Sequence, residues 1–277
     1  MTSRKNWEMG LSSAILGYYD GNNEKGFARY KKAGIKYAEI SMSHESLEKC
    51  DFYENPEKLL EVARTNDVEL WSFHVPFSQY FNVASLDEEK GSTAMAIMEK
   101  GIRSAIKIGI KTIVIHPSSE PNDDDTRQEK MERSIENLRY FAKICDENGA
   151  KLAVEVLPRT CLGNSSFDII TYLNEIPEID LCFDTNHLLM QTNEDFLDDL
   201  IYHNMHGRIR TVHISDYDFI DERHRLPGDG INDWEAIISA LEELDYSGVF
   251  MYEVSKPVDR ELLTFEEIKE NYICFMK

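Results

Sequence analysis

The sequence predicts a single (β/α)8 TIM barrel, and three observations support this prediction. Short β-branched or aromatic runs alternate eight times with longer segments that have helical spacing. Several of the short runs are almost continuously apolar, which is typical of parallel strands covered on both faces. Eight such pairs within 277 residues match the size of one α/β barrel. A doubly wound open sheet is the alternative.

The elements follow from their composition and spacing, taken in chain order. The predicted strands cover residues 12–18, 37–42, 69–75, 111–117, 151–157, 180–186, 210–216 and 248–254. The predicted helices cover residues 22–33, 55–66, 87–108, 124–147, 165–175, 194–205, 232–244 and 259–276.

Capping patterns set some of the helix starts. Ser165 begins an S-x-x-D pattern and Asn232 begins an N-x-x-E pattern, both typical of the first turn of a helix. The acidic run 122–125 is interpreted as another helix start, because a calcium loop needs ligands spaced along a longer segment.

Charge and apolar content limit the classes of partner. The formal net charge is −21, from 51 acidic and 30 basic residues, so long-range attraction to nucleic acid or to an anionic membrane is not expected. No apolar run approaches the roughly 18–20 residues that span a bilayer, and the first residues do not resemble a signal peptide. We therefore expect a cytoplasmic protein with no membrane partner.

The cysteines are odd in number and scattered, without a C-x-x-C pair. This pattern favours free thiols over a disulfide framework or a thiolate zinc site. The five residues are Cys50, Cys145, Cys161, Cys182 and Cys274.

Polar residues that can bind ligands lie at or near the carboxyl ends of six of the predicted strands. In a (β/α)8 barrel the active site lies at the carboxyl ends of the strands, so these residues are expected to face a common region. Each residue alone also has a structural explanation, such as a buried hydrogen bond. The residues are His74, His116, Glu155, Asp184 with His187, His213 with Asp216, and Glu253.

Four of these residues end the fifth to eighth strands and predict a metal site. Glu155, Asp184, His213 and Glu253 would converge near the barrel axis, and three carboxylates at that distance repel unless a cation lies between them. Three carboxylates and one imidazole suit a divalent ion. Manganese is the expected ion, with magnesium, cobalt, zinc and iron(II) as alternatives.

The ordered motifs resemble the sugar phosphate isomerase/epimerase family of the xylose isomerase-like TIM barrel superfamily, which also includes ketose 3-epimerases, inosose dehydratases, 3-dehydroshikimate dehydratase and endonuclease IV. The likeness spans roughly residues 35–255, and the resemblance implies one such domain over residues 1–277. The motifs are FHVPF (73–77), IHPSSEP (115–121), LAVEVLPRTCLGNSS (152–166), LCFDTNHLL (181–189), TVHISDYD (211–218), ERHRLPGDGINDW (222–234) and YEV (252–254).

The resemblance implies a metal-dependent isomerase or epimerase that moves a proton beside a carbonyl through an enediolate. Its metal ligands would be the same four strand-end residues. The catalytic residues would be Glu155, Glu253 and His187: the two glutamates would exchange the proton, and His187 would bind substrate oxygen. The partner would be a small sugar or polyol, and relatives in this family often form homodimers.

The substrate contacts cannot be transferred in detail, because the loops depart from the ketose 3-epimerase pattern. The glutamate and arginine that those enzymes use after the fifth and seventh strands have no clear counterpart beyond Arg159 and the run 222–225. The run Glu-Arg-His at 222–224 instead resembles an endonuclease IV signature. The candidate substrate-binding residues are His74, His116, Arg159, His187, Glu222 and His224.

Three other functions remain as alternatives to a sugar isomerase or epimerase. A dehydratase or lyase acting on a polyol or inosose would use the same ligands. A phosphodiesterase acting on damaged DNA through two or three metals would recruit the additional histidines, although the negative charge of the chain disfavours it. A barrel that binds metal without catalysis is the third.

Two further features have a structural and a functional interpretation. Gly228 and Gly230 in the LPGDG run either shape a loop or form a phosphate cradle, with Arg159 and Arg225 as anion contacts. Aromatic side chains near the mouth of a barrel either stack on a sugar or fill the core. The aromatic candidates are Trp71, Trp234 and Tyr252.

Overall fold

Strands and helices alternate along residues 7–17, 21–218, 222–254 and 263–276, which are the residues described by the computed structural model. The strands are β1 (Met9–Ser12), β2 (Tyr37–Ser41), β3 (Glu69–His74), β4 (Thr112–Ile115), β5 (Lys151–Glu155), β6 (Asp180–Asp184), β7 (Ile209–His213) and β8 (Phe250–Tyr252). The helices are α1 (Glu24–Ala33), α2 (His44–Lys49), α3 (Glu57–Thr65), α4 (Glu88–Lys107), α5 (Asp124–Glu147), α6 (Ser166–Glu175), α7 (Asn193–Tyr202), α8 (Trp234–Glu243) and α9 (Phe265–Phe275).

The eight strands form one sheet in the order β7-β6-β5-β4-β3-β2-β1-β8, with parallel pairing between neighbours. The two ends of this order meet just beyond β7. Ile214 N–H donates to the Met251 carbonyl at 2.8 Å, and Glu253 N–H donates to the Ile214 carbonyl at 3.1 Å. The prediction of a single (β/α)8 TIM barrel is confirmed. Extension of the domain over residues 1–6 and 277, which lie outside the described residues, stays a prediction.

The first strand was predicted in the wrong place. The strand is Met9–Ser12, whose four residues are all buried. The next four residues, Ser13–Leu16, form a 3-10 helix, because the Ser12 hydroxyl accepts a hydrogen bond from Ala14 N–H at its start. The apolar run that suggested a strand is thus a half-buried turn, and Tyr18 lies outside the described residues.

Helix starts were predicted with mixed success. Ser165 caps α6 as expected, accepting from Asp168 N–H at 3.3 Å, and α5 begins at Asp124 within the acidic run. The cap of α8 is Asp233 and not Asn232, since the Asn232 amide donates to the carbonyls of two neighbouring loops instead.

Two other helices differ from the sequence prediction in extent. The six-residue helix α2 was not predicted, because it is too short to show a helical period. The predicted start of α9, residues 259–262, lies outside the described residues, and the described helix begins after a Thr264 capping box.

The barrel interior is filled in layers of side chains. Tyr37, Val249 and Met251 pack with Trp71 toward the amino-terminal ends of the strands. The next layer is a small cluster of Val114, Ala153 and Cys182. Polar residues follow at the carboxyl ends of the strands, so the apolar layers form a floor beneath them.

A glycine makes room for the lowest layer. A Cβ atom on Gly10 of β1 would lie 2.6 Å from both Met251 Cε and Val249 Cγ1, closer than any real contact. The missing side chain lets Met251 occupy the middle of the barrel.

We expect Gly10→Ala to lower the free energy of unfolding by about 1–3 kcal/mol, because two packed side chains must move. Urea denaturation followed by circular dichroism measures the change. Gly91→Ala in α4 is the control, since its Cβ would meet nothing closer than 3.6 Å and alanine favours the helix. Equal stability of Gly10→Ala and wild type would contradict the packing argument.

Candidate active site

The carboxyl ends of β5 to β8 bring four side chains to one point. Glu155, Asp184 and His213 are the last residues of their strands, and Glu253 directly follows β8. Asp184 and His213 are register partners in adjacent strands. One ligand atom from each of the four lies within 4.8 Å of all the others. Parallel strands that end at one rim therefore place these donors together, as the strand-end argument predicts.

His213 lies at the centre of this group. Its Nδ1 atom is 2.9 Å from Glu253 Oε2, 3.0 Å from Glu155 Oε1 and 3.7 Å from Asp184 Oδ2. One ring nitrogen carries at most one hydrogen and cannot satisfy three carboxylates. Asp184 Oδ2 is buried, and within the described part of the chain it has no hydrogen-bond partner. The donor set and this unpartnered oxygen fit a divalent cation.

Burial and neighbouring charges separate the pKa values of the three carboxyl groups. Burial and, to a smaller extent, the negative charges of Glu155 and Glu253 raise the pKa of Asp184 to about 8. The charge of His224 acts in the opposite direction but does not prevail. Burial also acts to raise the pKa of Glu155, but the nearby His213, His116 and His74 hold it well below its usual range. The pKa of Glu253 is likewise lowered, because His213 more than offsets burial. Glu155 and Glu253 are therefore ionised, whereas Asp184 favours its protonated form.

The second oxygen of Glu155 contacts two more histidines. His74 Nε2 lies 2.9 Å and His116 Nε2 3.1 Å from Glu155 Oε2. Burial alone would lower the pKa of His74, but Glu155 raises it to about 9. Burial prevails at His116 and lowers its pKa. The three residues form a second group with ligand atoms within 4.8 Å of one another.

His187 presents one nitrogen to the cavity above this group. Its Nδ1–H donates to the Val156 carbonyl at 2.9 Å, and burial lowers its pKa, so the ring is neutral. Nε2 is then a hydrogen-bond acceptor and lies 3.8 Å from Glu222 Oε2. A substrate hydroxyl could donate to this nitrogen.

A cavity of about 380 Å³ opens over these residues. A volume of this size is within the range of small-molecule sites. Asp184 and His213 lie deeper and are fully buried. The residues of the candidate site that line the cavity are His74, His116, Glu155, Arg159, His187, Glu222, His224 and Glu253.

Arg159 lies at the mouth of the cavity between two glutamates. Its Nε donates to Glu120 Oε2 at 2.7 Å, and its Nη1 pairs with Glu222. Of the described residues that line the cavity, Arg159 is the only arginine or lysine. Its charge is thus largely neutralised before any ligand arrives.

The suggestion that Arg225 contacts an anion is wrong. Its side chain is almost fully buried, and Nε and Nη2 donate to Asp218 Oδ2 at 2.8 and 2.6 Å. It does not line the cavity.

Asp216 holds the loop after β7 and does not face the cavity. Its carboxylate accepts hydrogen bonds from Gly228 N–H at 2.8 Å, Asn232 N–H at 3.1 Å and Trp234 Nε1–H at 2.9 Å. A Cβ on Gly230 would lie 2.3 Å from Asp216 Oδ1. The loop-shaping interpretation of Gly228 and Gly230 is confirmed, and a carboxylate fills the proposed phosphate cradle.

We expect Asp216→Ala to lower the free energy of unfolding by about 2–3 kcal/mol, because several donors to a charged acceptor lose their partner. Chemical denaturation checks the stability, and limited proteolysis checks the loop at residues 222–233. Asp229→Ala in the same loop is the control, because its side chain is exposed. Wild-type stability in Asp216→Ala would contradict this role.

The three aromatic candidates for sugar stacking are core residues. Trp71 packs in the lowest layer of the barrel, and Trp234 packs against Phe275 beside Asp216. Tyr252 is fully buried and donates to Asn271 in α9. Phe77 lines the cavity instead and stacks on His116, with ring centroids 4.0 Å apart.

Sequence reasoning missed Glu39, Phe77 and Glu120 as residues of this region. Glu39 is fully buried in β2, and its Oε2 lies 3.1 Å from His213 Nε2. An acid within the apolar segment YAEIS, on the same face as Tyr37 and Ser41, was the available signal. Phe77 and Glu120 lie within motifs that were recognised, but nothing in their residue type distinguished them.

The fold and this site define a (β/α)8 barrel with an acid-histidine cluster at the carboxyl ends of its strands. The sequence model of the xylose isomerase-like TIM barrel family matches residues 27–272. The chain belongs to this family, and the resemblance seen in its motifs is confirmed at that level.

Known proteins share this architecture at low sequence identity. An uncharacterised protein of Methanocaldococcus jannaschii is 25% identical over 225 residues, which are 79% of this chain and 75% of that protein. A D-tagatose 3-epimerase-like protein superposes with a TM-score of 0.78 at 20% identity, covering 97% of this chain and 96% of the other.

Two further solved structures have titles that name different reactions. A D-allulose 3-epimerase from Methylomonas sp. gives a TM-score of 0.77 at 19% identity, with 100% and 99% coverage. A 3-keto-D-glucoside 4-epimerase from E. coli gives 0.74 at 16% identity, with 98% and 99% coverage. Identities this low show a common fold, and the two titles place epimerisation at different carbons.

The described helices include none that is both long and apolar enough to cross a membrane.

Proposed function

We propose that the protein is a divalent-metal-dependent sugar isomerase or epimerase. It would act on a small sugar, sugar phosphate or polyol by proton transfer beside a carbonyl. The observation that supports this most is the convergence of Glu155, Asp184 and Glu253 on His213 Nδ1, with an unpartnered buried oxygen on Asp184. A cation between these acids would relieve the repulsion of Glu155 and Glu253 and would replace the proton that Asp184 otherwise favours.

Glu155, Asp184, His213 and Glu253 would hold the ion, with manganese expected and magnesium, cobalt or zinc as alternatives. A bound divalent cation would supply positive charge opposite the reacting oxygen atoms of the substrate. The chain itself supplies the bases, the hydrogen bonds and the walls of the cavity.

Glu155 and Glu253 are the proposed acid and base. Both border the cavity, and both have a lowered pKa, so each is ionised and able to accept a proton. One carboxylate removes the proton from the carbon beside the carbonyl and leaves an enediolate. For isomerisation the same group, now protonated, returns its proton to the neighbouring carbon. For epimerisation the other carboxylate, which has taken up a proton from solvent, delivers that proton to the opposite face.

His187 and the residues at the mouth of the cavity would hold the substrate. The acceptor nitrogen of His187 suits a sugar hydroxyl. His74, His116 and His224 add ring nitrogens to the same wall, and Arg159 with Glu222 faces the remaining hydroxyls. Neutral polyols match this lining better than a phosphate, because Arg159 is already paired with two acids.

Similar structures support this substrate class. The solved structures reported above are named as a tagatose epimerase-like protein, an allulose epimerase and a keto-glucoside epimerase.

The five cysteines are free thiols in the structure, which supports the expected reducing, cytoplasmic setting. A homodimer remains part of the proposal by analogy with the family.

Metal binding is the first prediction of the proposal. Protein stripped with chelator and supplied with Mn²⁺ is expected to gain about 2.7 kcal/mol of stability when free metal is one hundred times the Kd. Glu155→Ala and His213→Ala should lose both the ion and the gain, because each removes a ligand. Elemental analysis and thermal unfolding measure these effects.

Glu120→Ala provides the matched control for metal binding. Glu120 lines the same cavity but lies outside the group of four donors, so this variant should retain the ion. Full metal occupancy in both Glu155→Ala and His213→Ala would refute the site.

Proton transfer is the second prediction. Ketoses incubated with the metal-loaded protein in deuterated water should gain deuterium at the carbon beside the carbonyl, as measured by NMR and mass spectrometry. Glu253→Gln should slow this exchange by about 10²- to 10⁴-fold, because it removes a positioned base. Glu175→Gln, which changes an exposed acid on α6, should exchange like wild type.

The exchange experiment also separates the alternatives. Absence of exchange across a broad panel of ketoses and inososes would contradict both the isomerase and the epimerase reaction. Loss of water from the substrate, seen by mass, would identify the dehydratase alternative instead.

A metal-dependent phosphodiesterase is the second candidate. The group formed by His74, His116 and Glu155 favours it, since those donors could hold another ion. The paired state of Arg159 opposes it, because binding of nucleic acid needs free cations that meet phosphates. Robust cutting of an abasic-site duplex would reverse this ranking.

A further inference from the structure

Glu39 is a buried acid that the proposed reaction does not use. It lies on the inward face of β2, across the barrel from β7, and is fully buried. Its Oε2 atom accepts a hydrogen bond from Ser72 Oγ at 2.8 Å and lies 3.1 Å from His213 Nε2. Within the described part of the chain, Glu39 forms an ion pair with His213 and with no lysine or arginine. Burial of a carboxyl group is costly without a hydrogen-bonding partner.

The hydrogen on His213 can be placed from these contacts. A carboxylate oxygen accepts hydrogen bonds, so in this contact His213 Nε2 donates to Glu39 Oε2. A His213 ring that holds a cation is neutral and has a single N–H, so its lone pair then lies on Nδ1. Nδ1 is the nitrogen that faces the three acids of the site.

The opposite tautomer would prevail without this acid. Glu155 and Glu253 place oxygen atoms 3.0 and 2.9 Å from His213 Nδ1, and both attract a hydrogen to that nitrogen. A hydrogen at Nδ1 would occupy the position from which the ring must donate its lone pair. Glu39 is the acceptor on the other side of the ring that opposes this attraction.

We propose that Glu39 is a positioning residue, which holds the His213 ring in the tautomer that can bind a cation. The carboxylate also places negative charge behind the ring and so makes the imidazole a stronger ligand. This inference rests on the proposed function, since it requires a cation at the four strand-end residues.

Three variants separate the effects of charge, acceptor and packing. Glu39→Gln keeps an acceptor oxygen and nearly the same volume but removes the charge. Glu39→Leu removes both the charge and the acceptor. Ser72→Ala is the matched control, because it removes the other hydrogen bond of Glu39 and leaves the carboxylate facing His213. Circular dichroism establishes that each variant folds.

Affinity for Mn²⁺ is the first measurement, made by competition with a chelator. Loss of such an outer partner typically weakens metal binding by about 10- to 100-fold. We expect the loss of Mn²⁺ affinity to lie near the lower end of this range in Glu39→Gln and near the upper end in Glu39→Leu. Ser72→Ala should bind Mn²⁺ about as tightly as wild type.

The His213 tautomer is the second measurement, made by NMR on metal-free protein labelled with ¹⁵N in its histidine rings. The measurement needs an alkaline pH, because the acids around the ring outweigh burial and raise the pKa of His213 well above its usual value. The hydrogen should lie on Nε2 in wild type and Ser72→Ala, and on Nδ1 in Glu39→Leu. A purely structural role for Glu39 would lower thermal stability without moving this hydrogen.

Each result distinguishes this inference from the proposed function. Wild-type Mn²⁺ affinity in both Glu39 variants, with the hydrogen on Nε2 throughout, would overturn the inference alone. A wild-type protein that binds no divalent cation would overturn both. Metal binding that depends on Glu39 without any deuterium exchange into sugars would support the inference and contradict the proposed reaction.

Discussion

Crowding of negative charge at the carboxyl ends of β5 to β8 is the constraint on which the site depends. Glu155, Asp184 and Glu253 converge on a single ring nitrogen of His213, at the inner end of the cavity. In a medium of low polarity such a group is stable only with protons, paired cations or a metal ion. The histidines around Glu155 meet part of this requirement, whereas the unpartnered oxygen of Asp184 and the acid behind His213 add to it. The apolar floor beneath them contributes by keeping solvent away.

The sequence predicted the barrel because its strands are covered on both faces and its helices keep a 3.6-residue period. The same geometry made the strand-end residues predictable, since parallel strands present their last residues at one rim. Glu155, Asp184, His213 and Glu253 could therefore be grouped although 98 residues separate the first from the last. Their grouping needed only the order of the strands and no detail of the loops.

The remaining features depend on contacts that a linear pattern does not contain. Arg159 and Arg225 look alike in sequence, yet one lies at the mouth of the cavity and the other is buried against Asp218. Asp216 is a strand-end acid like Asp184, but its oxygens accept hydrogen bonds from its own loop. The first strand was misplaced, because a serine cap converts an apolar run into a turn. Residue type thus predicts which chemistry is available, and packing decides where it is used.

The bond between Glu39 and His213 links the chemistry of the site to the alignment of the strands. Side chains alternate between the two faces of a strand, so a slip of one residue in β2 would turn Glu39 toward the helices and Ile40 into the barrel. The bulge between Ala38 and Glu39 in the pairing of β2 with β3 lies beside this position, where such a slip would be easiest. A misaligned barrel could still bury most of its apolar surface but would lack the acid behind His213. If the proposed metal site is correct, the ability to bind a cation would distinguish the correctly aligned chain from misaligned conformations.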